Sequence, residues 1–418
     1  MNRSTRILPR ILEPVLATAL ERFPVVVVTG ARQTGKTTLV GSGAIAAGRV
    51  FRSLDDYDVL EQAHRDAQTF LQNGDPLTLD EVQRAPEVLL AIKRDVDRSR
   101  RPGRFLLTGS ANLLMMRRVS ESLAGRAIYL TLCPMSEAEK AGRATPGPWS
   151  DWLDAADERS LQRPAVPETG GEGWASRVLE GGYPVPALAG EEEIRAQWFD
   201  GYVRTYLERD IQDLASISSL ADFRRLMRLA ALRVGQMLNQ SDLARDAAIP
   251  LATAHRYLKL METSFQIVRL PAYAISRTKR LVKTPKLYWT DTGLAAHLAG
   301  LSAHGIPTEA EMPGGLLENL VLMQMLAWRE TVVPRPEIHY WRTHGGVDVD
   351  FVIESGRRLL PIEVKSSHRV RLDDAKGLEA FLEDHPKAAP FGVLLYGGTE
   401  VMRLTGRIVA MPLGGVWG

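Results

Sequence analysis

The chain has 418 residues, more than one hydrophobic core organises, so two or three domains are expected. Hydrophobic residues make up 45% and charged residues 24%, the balance of a soluble globular protein, which argues against a disordered or membrane-embedded chain. A net charge of +2 selects no partner, so any nucleic-acid contact must come from local clusters.

One cysteine, Cys133, excludes an internal disulfide and a cysteine-based zinc site and fits a reducing cytoplasm. No apolar run approaches the ~20 residues that cross a bilayer, so no membrane partner is expected. The N-terminal stretch MNRSTRILPRILEPVLATALERF is basic but lacks a continuous apolar core and a small-residue cleavage site. It reads as an amphipathic helix beside the first strand, and the expected location is cytoplasmic.

Strand-like runs then alternate with helical ones: PVVVVTG, RVFRSLDD, PLTLDE, RFLLTGS and AIYLTL. This alternation predicts an α/β fold, a parallel sheet with helices on both faces. Directly after the first run, GARQTGKT (Gly30 to Thr37) matches G-x-x-x-x-G-K-[ST] between a strand and a helix. Glycines let the backbone curl so that N–H groups face phosphates, and the helix N-terminus adds its positive end. Gly30, Gln33, Thr34, Gly35, Lys36, Thr37 and Thr38 form the expected ATP site, with Lys36 on the β- and γ-phosphates and Thr37 on Mg²⁺.

PLTLDE supplies the second half of such a site. Asp80 is expected in the Mg²⁺ shell and Glu81 as the residue that orients the attacking water. The alternative is an acidic pair at a strand end, exposed and without chemistry. RFLLTGS ends in Thr108 and Ser110, where a polar group can contact the γ-phosphate or the water. Arg126, just before AIYLTL, is either an arginine finger offered to a neighbouring subunit or a surface arginine near a helix end. This segment resembles the AAA+ group of P-loop ATPases. The resemblance implies that Ser110 stands at the sensor position and Arg126 at the finger position, with Asn112 two residues beyond the sensor, and it implies a homo-oligomer.

From Glu139 to about Arg177 the text is rich in proline and glycine, as in GRATPGPWSD and VPETGGEG, and reads as an exposed connection or insertion. Helical text runs from Glu192 to about Leu260. Within it LATAHRYLKLME puts Ala254, Tyr257, Leu258 and Met261 on one stripe, in helix-turn-helix spacing. RLPAYAISRTKRLVKTPK (Arg269 to Lys286) holds six basic residues and no acid, and looks like the wing of a winged-helix module. Arg256, Lys259, Arg277, Lys279, Arg280 and Lys283 are the expected DNA contacts, reading backbone more than sequence. A module used only for protein contacts is the alternative.

The last hundred residues return to mixed strands and helices. Alternation puts Asp348 and Asp350 on one face of VDVDFVIE, and Glu363 and Lys365 on one face of LLPIEVKSS. Glu318 sits among apolar residues in GGLLENLVLMQMLAWRE. Acid, twelve residues, then Glu-x-Lys resembles the PD-(D/E)XK nuclease superfamily, with Glu318 at its first-helix acid. That resemblance implies Mg²⁺ held by Glu318, Asp350 and Glu363, with Lys365 steadying water or a phosphate oxygen rather than binding metal. A domain that keeps the motif only for docking is the competing reading.

Over nearly its full length the chain resembles prokaryotic AAA-type ATPases with a C-terminal domain of unknown function, through TGARQTGKTTL, LDEVQ, LLTGSANLL, SLAGRAIYL, EGGYP, YVRTYLERDI, TPKLYWTDTGL, LLENLV and VDVDFVIE…PIEVKSS. In YVRTYLERDI, Arg204 and Arg209 either reach the nucleotide from a lid or pair with Glu208 and Asp210. The expected layout is a P-loop core at 1–138, an insertion and helical lid at 139–225, a winged helix at 226–300 and a nuclease-like α/β domain at 301–418. The expected function is ATP hydrolysis coupled to DNA binding or remodelling. A non-motor scaffold with an inactive nuclease fold, a DNA-translocating ring, and a Mg²⁺-dependent endonuclease are the alternatives.

Overall fold

A computed structural model describes residues 7–71, 75–109, 123–161, 173–207, 219–301 and 307–417. The first layer is a five-stranded parallel sheet in the order β2-β3-β4-β1-β5. Its strands are β1 (Val25–Thr29), β2 (Val50–Ser53), β3 (Leu77–Asp80), β4 (Phe105–Thr108) and β5 (Ala127–Thr131). Four consecutive valines can occupy β1 because both faces of the strand are covered. Val26 and Val28 pack with Leu12, Leu16, Leu39 and Leu106 on one face. Val25 and Val27 pack with Leu79, Val88, Ile92 and Phe105 on the other. Because β1 lies between β4 and β5, the carboxyl ends of β1, β3 and β4 open onto one crevice, where such sheets bind ligands.

The proline- and glycine-rich stretch after β5 is not simply an exposed connection. Helix Trp149–Asp154 buries Trp149 and Trp152 completely, edge to face with centroids 5.6 Å apart. Proline and glycine signal irregular backbone, but two large aromatic side chains anchor it. Residues 162–172 of that stretch lie outside the described residues.

The middle is helical. Helices Leu220–Ala231, Gln240–Asp246 and Leu251–Thr263 precede an antiparallel ribbon of β6 (Ile267–Leu270) and β7 (Lys286–Trp289). Ser219 and Asn239 cap the first two helices through side chains that accept backbone N–H groups. In the third, the stripe Ala254, Tyr257, Leu258 and Met261 is buried as its spacing requires. Between β6 and β7 the basic segment contains a short helix, Arg277–Val282, rather than a plain hairpin turn.

The C-terminal sheet is mixed and six-stranded, in the order β12-β13-β11-β10-β9-β8. Its strands are β8 (Glu337–Arg342), β9 (Asp348–Ser355), β10 (Arg358–Lys365), β11 (Gly392–Tyr396), β12 (Met402–Arg403) and β13 (Ile408–Pro412). Helix Gly314–Arg329 covers one face through Leu317, Leu320 and Val321 against Phe351, Ile353 and Ile362. Helix Lys376–Asp384 covers the other through Leu378 and Phe381 against Val349 and Val352. The first of these clusters also takes in Phe223, Tyr257 and Leu294, so the middle helices and the C-terminal sheet share one continuous core. Among the described residues, no helix is long and apolar enough to cross a membrane.

Candidate functional site

The chain leaves β1 at Gly30 with φ 139°, where a Cβ would lie 2.4 Å from the Leu132 carbonyl oxygen, so only glycine fits. Gln33 and Gly35 also have positive φ, and Gly35 starts the helix Lys36–Val40. Arg10 braces the loop from behind. Its guanidinium donates to the carbonyls of Thr34 and Cys133, both at 2.7 Å, and pairs with Glu139 at 3.1 Å. Sequence reasoning missed Arg10, because its partners lie 24 and 123 residues downstream.

Lys36 folds back onto the loop and donates to the carbonyls of Ala31 (2.8 Å) and Gly30 (3.2 Å). Burial lowers its pKa to about 8, against the pull of Glu81 and Asp80. Thr37 donates to Asp80 Oδ2 at 3.0 Å, and Thr108 donates to Asp80 Oδ1. The Thr108 oxygen also accepts the Glu81 N–H at 3.3 Å. Glu81 sits in left-handed backbone, φ 55°, with its carboxylate held by Gln83. The structure therefore brings together Gly30, Gln33, Thr34, Gly35, Lys36, Thr37, Asp80 and Glu81, and Thr38 borders the same cleft. Thr37 and Asp80 present a hydroxyl and a carboxylate, hard oxygen donors of the kind Mg²⁺ prefers.

Ser110 and Asn112 lie outside the described residues, as do Glu208, Arg209 and Asp210. Arg204 is exposed. Arg126 is engaged within its own chain: its guanidinium forms a two-pronged pair with Asp97 at 2.6 and 2.9 Å.

A second wall of the cleft comes from far away in sequence. The turn Gly181–Gly182–Tyr183 delivers Pro184 and Val185 to the loop, and Pro184 lies 3.8 Å from where a Gly35 Cβ would be. Asp291, fully buried, holds this turn. Its carboxylate accepts the N–H of Gly182 (2.6 Å), Tyr183 (3.1 Å) and Leu294 (2.8 Å), so it also caps helix Thr292–Leu298. Burial raises its pKa, against those three donors. The motifs EGGYP and TDTGL are thus two sides of one contact.

The expected Mg²⁺ cluster of the C-terminal sheet is not assembled: among the described residues the oxygens of Glu318, Asp350 and Glu363 do not all lie within 4.8 Å of one another, whereas ligand atoms of Glu337, His339 and Glu354 do. Asp350 Oδ2 accepts the Val364 N–H at 3.0 Å, and Lys365 donates to Glu363 Oε1 at 2.6 Å. Glu318 comes from helix Gly314–Arg329 and accepts the Tyr288 hydroxyl at 2.5 Å. Burial and then the Asp350 charge push Glu318 up to about 7 and Glu363 up to about 8; for Glu363 they outweigh the lysine beside it. Lys286, not foreseen as part of this cluster, lies 3.3 Å from Asp350 and 3.4 Å from Glu318.

Of the basic residues expected on DNA, Arg256, Lys259, Lys279 and Lys283 are exposed, and the Arg277 side chain lies outside the described ones. Arg280 differs from that expectation. It turns inward to pair with Glu354, within 3.6 Å of Glu337 and with its guanidinium over the Tyr273 ring. An amphipathic stem beside an apolar ring and a carboxylate is drawn in where its neighbours stay solvated.

The parallel sheet and phosphate loop define a P-loop ATPase domain, and an AAA domain model matches residues 22–140. Two domains of unknown function, DUF8612 and DUF4143, match residues 171–305 and 313–415. The uncharacterized protein Rv2008c of Mycobacterium tuberculosis is 30% identical over 401 residues, covering 95% of this chain and 82% of that protein. Protein Mb2031c of Mycobacterium bovis matches to the same extent. The chain belongs to the family of these mycobacterial proteins, with an AAA-type P-loop domain at its N-terminal end. The Walker-type ATPase PABY2304 of Pyrococcus abyssi is similar at 15% identity and TM-score 0.45, over 71% of this chain and 97% of that one.

Proposed function

We propose that this protein hydrolyses Mg²⁺-ATP at the loop Gly30–Thr37 and uses the nucleotide state to set how its helical middle engages the DNA backbone. The observation that carries this reading is the Asp291 carboxylate, which ties the turn beside the phosphate loop to the helix directly after β7.

In this reading the loop N–H groups and Lys36 hold the phosphates, and Lys36 exchanges the carbonyls of Gly30 and Ala31 for phosphate oxygens. Thr37 and Asp80 would hold Mg²⁺, which neutralises charge on the phosphates when bound. Glu81, turned into the cleft by its left-handed backbone, orients water. Thr108 fixes both acids, one through a carboxylate and one through a backbone N–H. A γ-phosphate pressing on Pro184 and Val185 would move the turn, and Asp291 would pass that movement to β7. The helices Gln240–Asp246 and Leu251–Thr263 with the β6–β7 ribbon have the make-up of a winged helix, and Arg256, Lys259, Lys279 and Lys283 lie on its exposed surface.

The test is DNA binding by fluorescence anisotropy with single-stranded, duplex and branched DNA, in ATP and in ADP, alongside the ATPase rate. This reading expects affinity to change with nucleotide and the rate to rise with DNA. Unchanged affinity and rate would leave an ATP-gated scaffold. The convergence of Asp350, Glu363 and Lys365 favours a second reading, a nuclease-like tail that cuts DNA. Mg²⁺-dependent plasmid nicking, lost in Asp350→Asn with ATP hydrolysis intact, would establish it.

A further inference from the structure

The edge strand β8 and its neighbour β9 bring together a histidine and two carboxylates that the proposed function does not use. Glu337 and His339, two residues apart, share a face of β8, and Glu354 stands directly opposite Glu337 on β9. Among the described residues, these are the three whose ligand atoms all lie within 4.8 Å of one another. His339 is 3% exposed, and its Nε2 lies 3.2 Å from Glu337 Oε2 and 3.3 Å from Glu354 Oε2. Ligands held at ~2.0–2.1 Å around a tetrahedral Zn²⁺ stand ~3.3 Å apart, so both separations are those of a metal's ligand shell. The Glu337 side chain is 68% exposed, which gives an ion a path in and leaves room for water as a further ligand.

A side-chain cation now stands at this place. Like charges directly opposite on paired strands repel, and the Arg280 guanidinium offsets that repulsion. Its Nη1 pairs with Glu354 and lies 3.6 Å from Glu337 and 3.5 Å from His339 Nε2. The arginine satisfies the carboxylates but not the imidazole. Burial, and then the Arg280 charge, lower the His339 pKa and keep the ring neutral, the form that binds metal. In a neutral ring one nitrogen donates and the other accepts. With the proton on Nε2, the guanidinium meets a donor. With the proton on Nδ1, that N–H is buried without a hydrogen-bond partner, and Nε2 turns a lone pair toward two carboxylates. A divalent ion accepts all three lone pairs at once, and one imidazole with two carboxylates suits Zn²⁺. It cannot share the place with a guanidinium, because like charges a few ångströms apart repel.

Arg280 is also a tether. It belongs to the short helix Arg277–Val282 between β6 and β7, and among the described side chains of that helix it alone is not exposed. We propose that Glu337, His339 and Glu354 form a Zn²⁺ site, and that the metal displaces Arg280 and so frees the basic helix Arg277–Val282 from the C-terminal sheet. The three ligands are distinct from Glu318, Asp350 and Glu363, and the inference rests neither on ATP hydrolysis nor on DNA binding.

The experiment uses the full chain, treated with EDTA and without nucleotide. Zn²⁺ affinity and stoichiometry are measured by competition with a chromophoric chelator, and release of the helix by the rate of tryptic cleavage at Lys279 and Lys283. Wild type should bind one Zn²⁺ that His339→Gln and Glu354→Gln each lose, the isosteric Glu354→Gln serving where His339→Gln does not fold. Arg280→Ala, with the competing charge gone, should bind that ion at least about tenfold more tightly. Zn²⁺ should speed cleavage at Lys279 and Lys283 in wild type, and cleavage in Arg280→Ala should already be fast without it. No Zn²⁺ bound by wild type or by Arg280→Ala, or the same Zn²⁺ retained in Glu354→Gln, would overturn the site. Binding by Arg280→Ala alone, equal affinity in Arg280→Ala and wild type, or wild-type cleavage unmoved by Zn²⁺ would overturn the displacement.

Discussion

The Asp291 carboxylate accepts the N–H of Gly182 at 2.6 Å across 109 residues of chain, and by this contact the far half of the molecule shapes the wall of the phosphate cleft. Removing the carboxylate strands three buried N–H groups. At about 1–3 kcal/mol for each buried group left unsatisfied, Asp291→Ala should lower unfolding stability by at least ~3 kcal/mol. Asp291→Asn keeps an acceptor oxygen and should lose less. Urea unfolding midpoints check both. DNA affinity in Asp291→Asn should depend less on whether ATP or ADP is bound.

Gly182 tests the same joint from its other side. A Cβ there would lie 2.4 Å from the Met135 carbonyl oxygen, which is backbone and cannot swing away. Gly182→Ala should therefore displace the turn and raise the Kd for ATP several-fold, whereas Gly190→Ala, where a Cβ meets nothing within 4 Å, should leave it unchanged. Titration with a fluorescent ATP analogue distinguishes the two.

Lys36 gives the nucleotide site a pH dependence with a definite sign. Burial depresses its pKa from 10.5 to about 8, so the unliganded protein carries a penalty for the charged amine below pH 8, relieved as pH rises from 8 toward 10.5. Phosphate binding requires the charged form. ATP affinity should fall as pH rises above about 8, with up to one proton taken up per ATP bound. Calorimetry in buffers of different ionisation enthalpy measures that uptake, and Lys36→Arg should abolish it.

Arg126 is paired with Asp97 in its own chain, at an exposed site. An arginine finger is worth roughly 10³–10⁵ in kcat, so the two roles separate clearly. With the side chain held in cis, Arg126→Ala should lower the ATPase rate by less than about tenfold. A larger loss at unchanged ATP affinity would mean that Arg126 leaves Asp97 for a neighbour's phosphate and that the working form is an oligomer.

The phosphate loop and the acids of β3 were legible because their chemistry is local: a glycine pattern of eight residues and a strand ending in Asp-Glu dictate their own geometry. The four valines of β1 and the stripe of helix Leu251–Thr263 were legible by periodicity. What escaped was contact between distant segments. Arg10 looks like any basic residue near an N-terminus until the Thr34 and Cys133 carbonyls are beside it. Lys286 was read as one charge among six in a basic stretch, and only the packing of β7 on helix Gly314–Arg329 turns it inward to Glu318 and Asp350. Arg280 misled in the same way, because no spacing rule announces Glu354 as its partner.

The most direct test of the central claim is equilibrium binding and single-turnover hydrolysis of Mg²⁺-ATP by wild type, Lys36→Ala and Glu81→Gln. The account predicts that Lys36→Ala loses ATP affinity and that Glu81→Gln keeps it while hydrolysing at least about 100-fold more slowly. Parental ATP affinity in Lys36→Ala, or parental hydrolysis in Glu81→Gln, would contradict it.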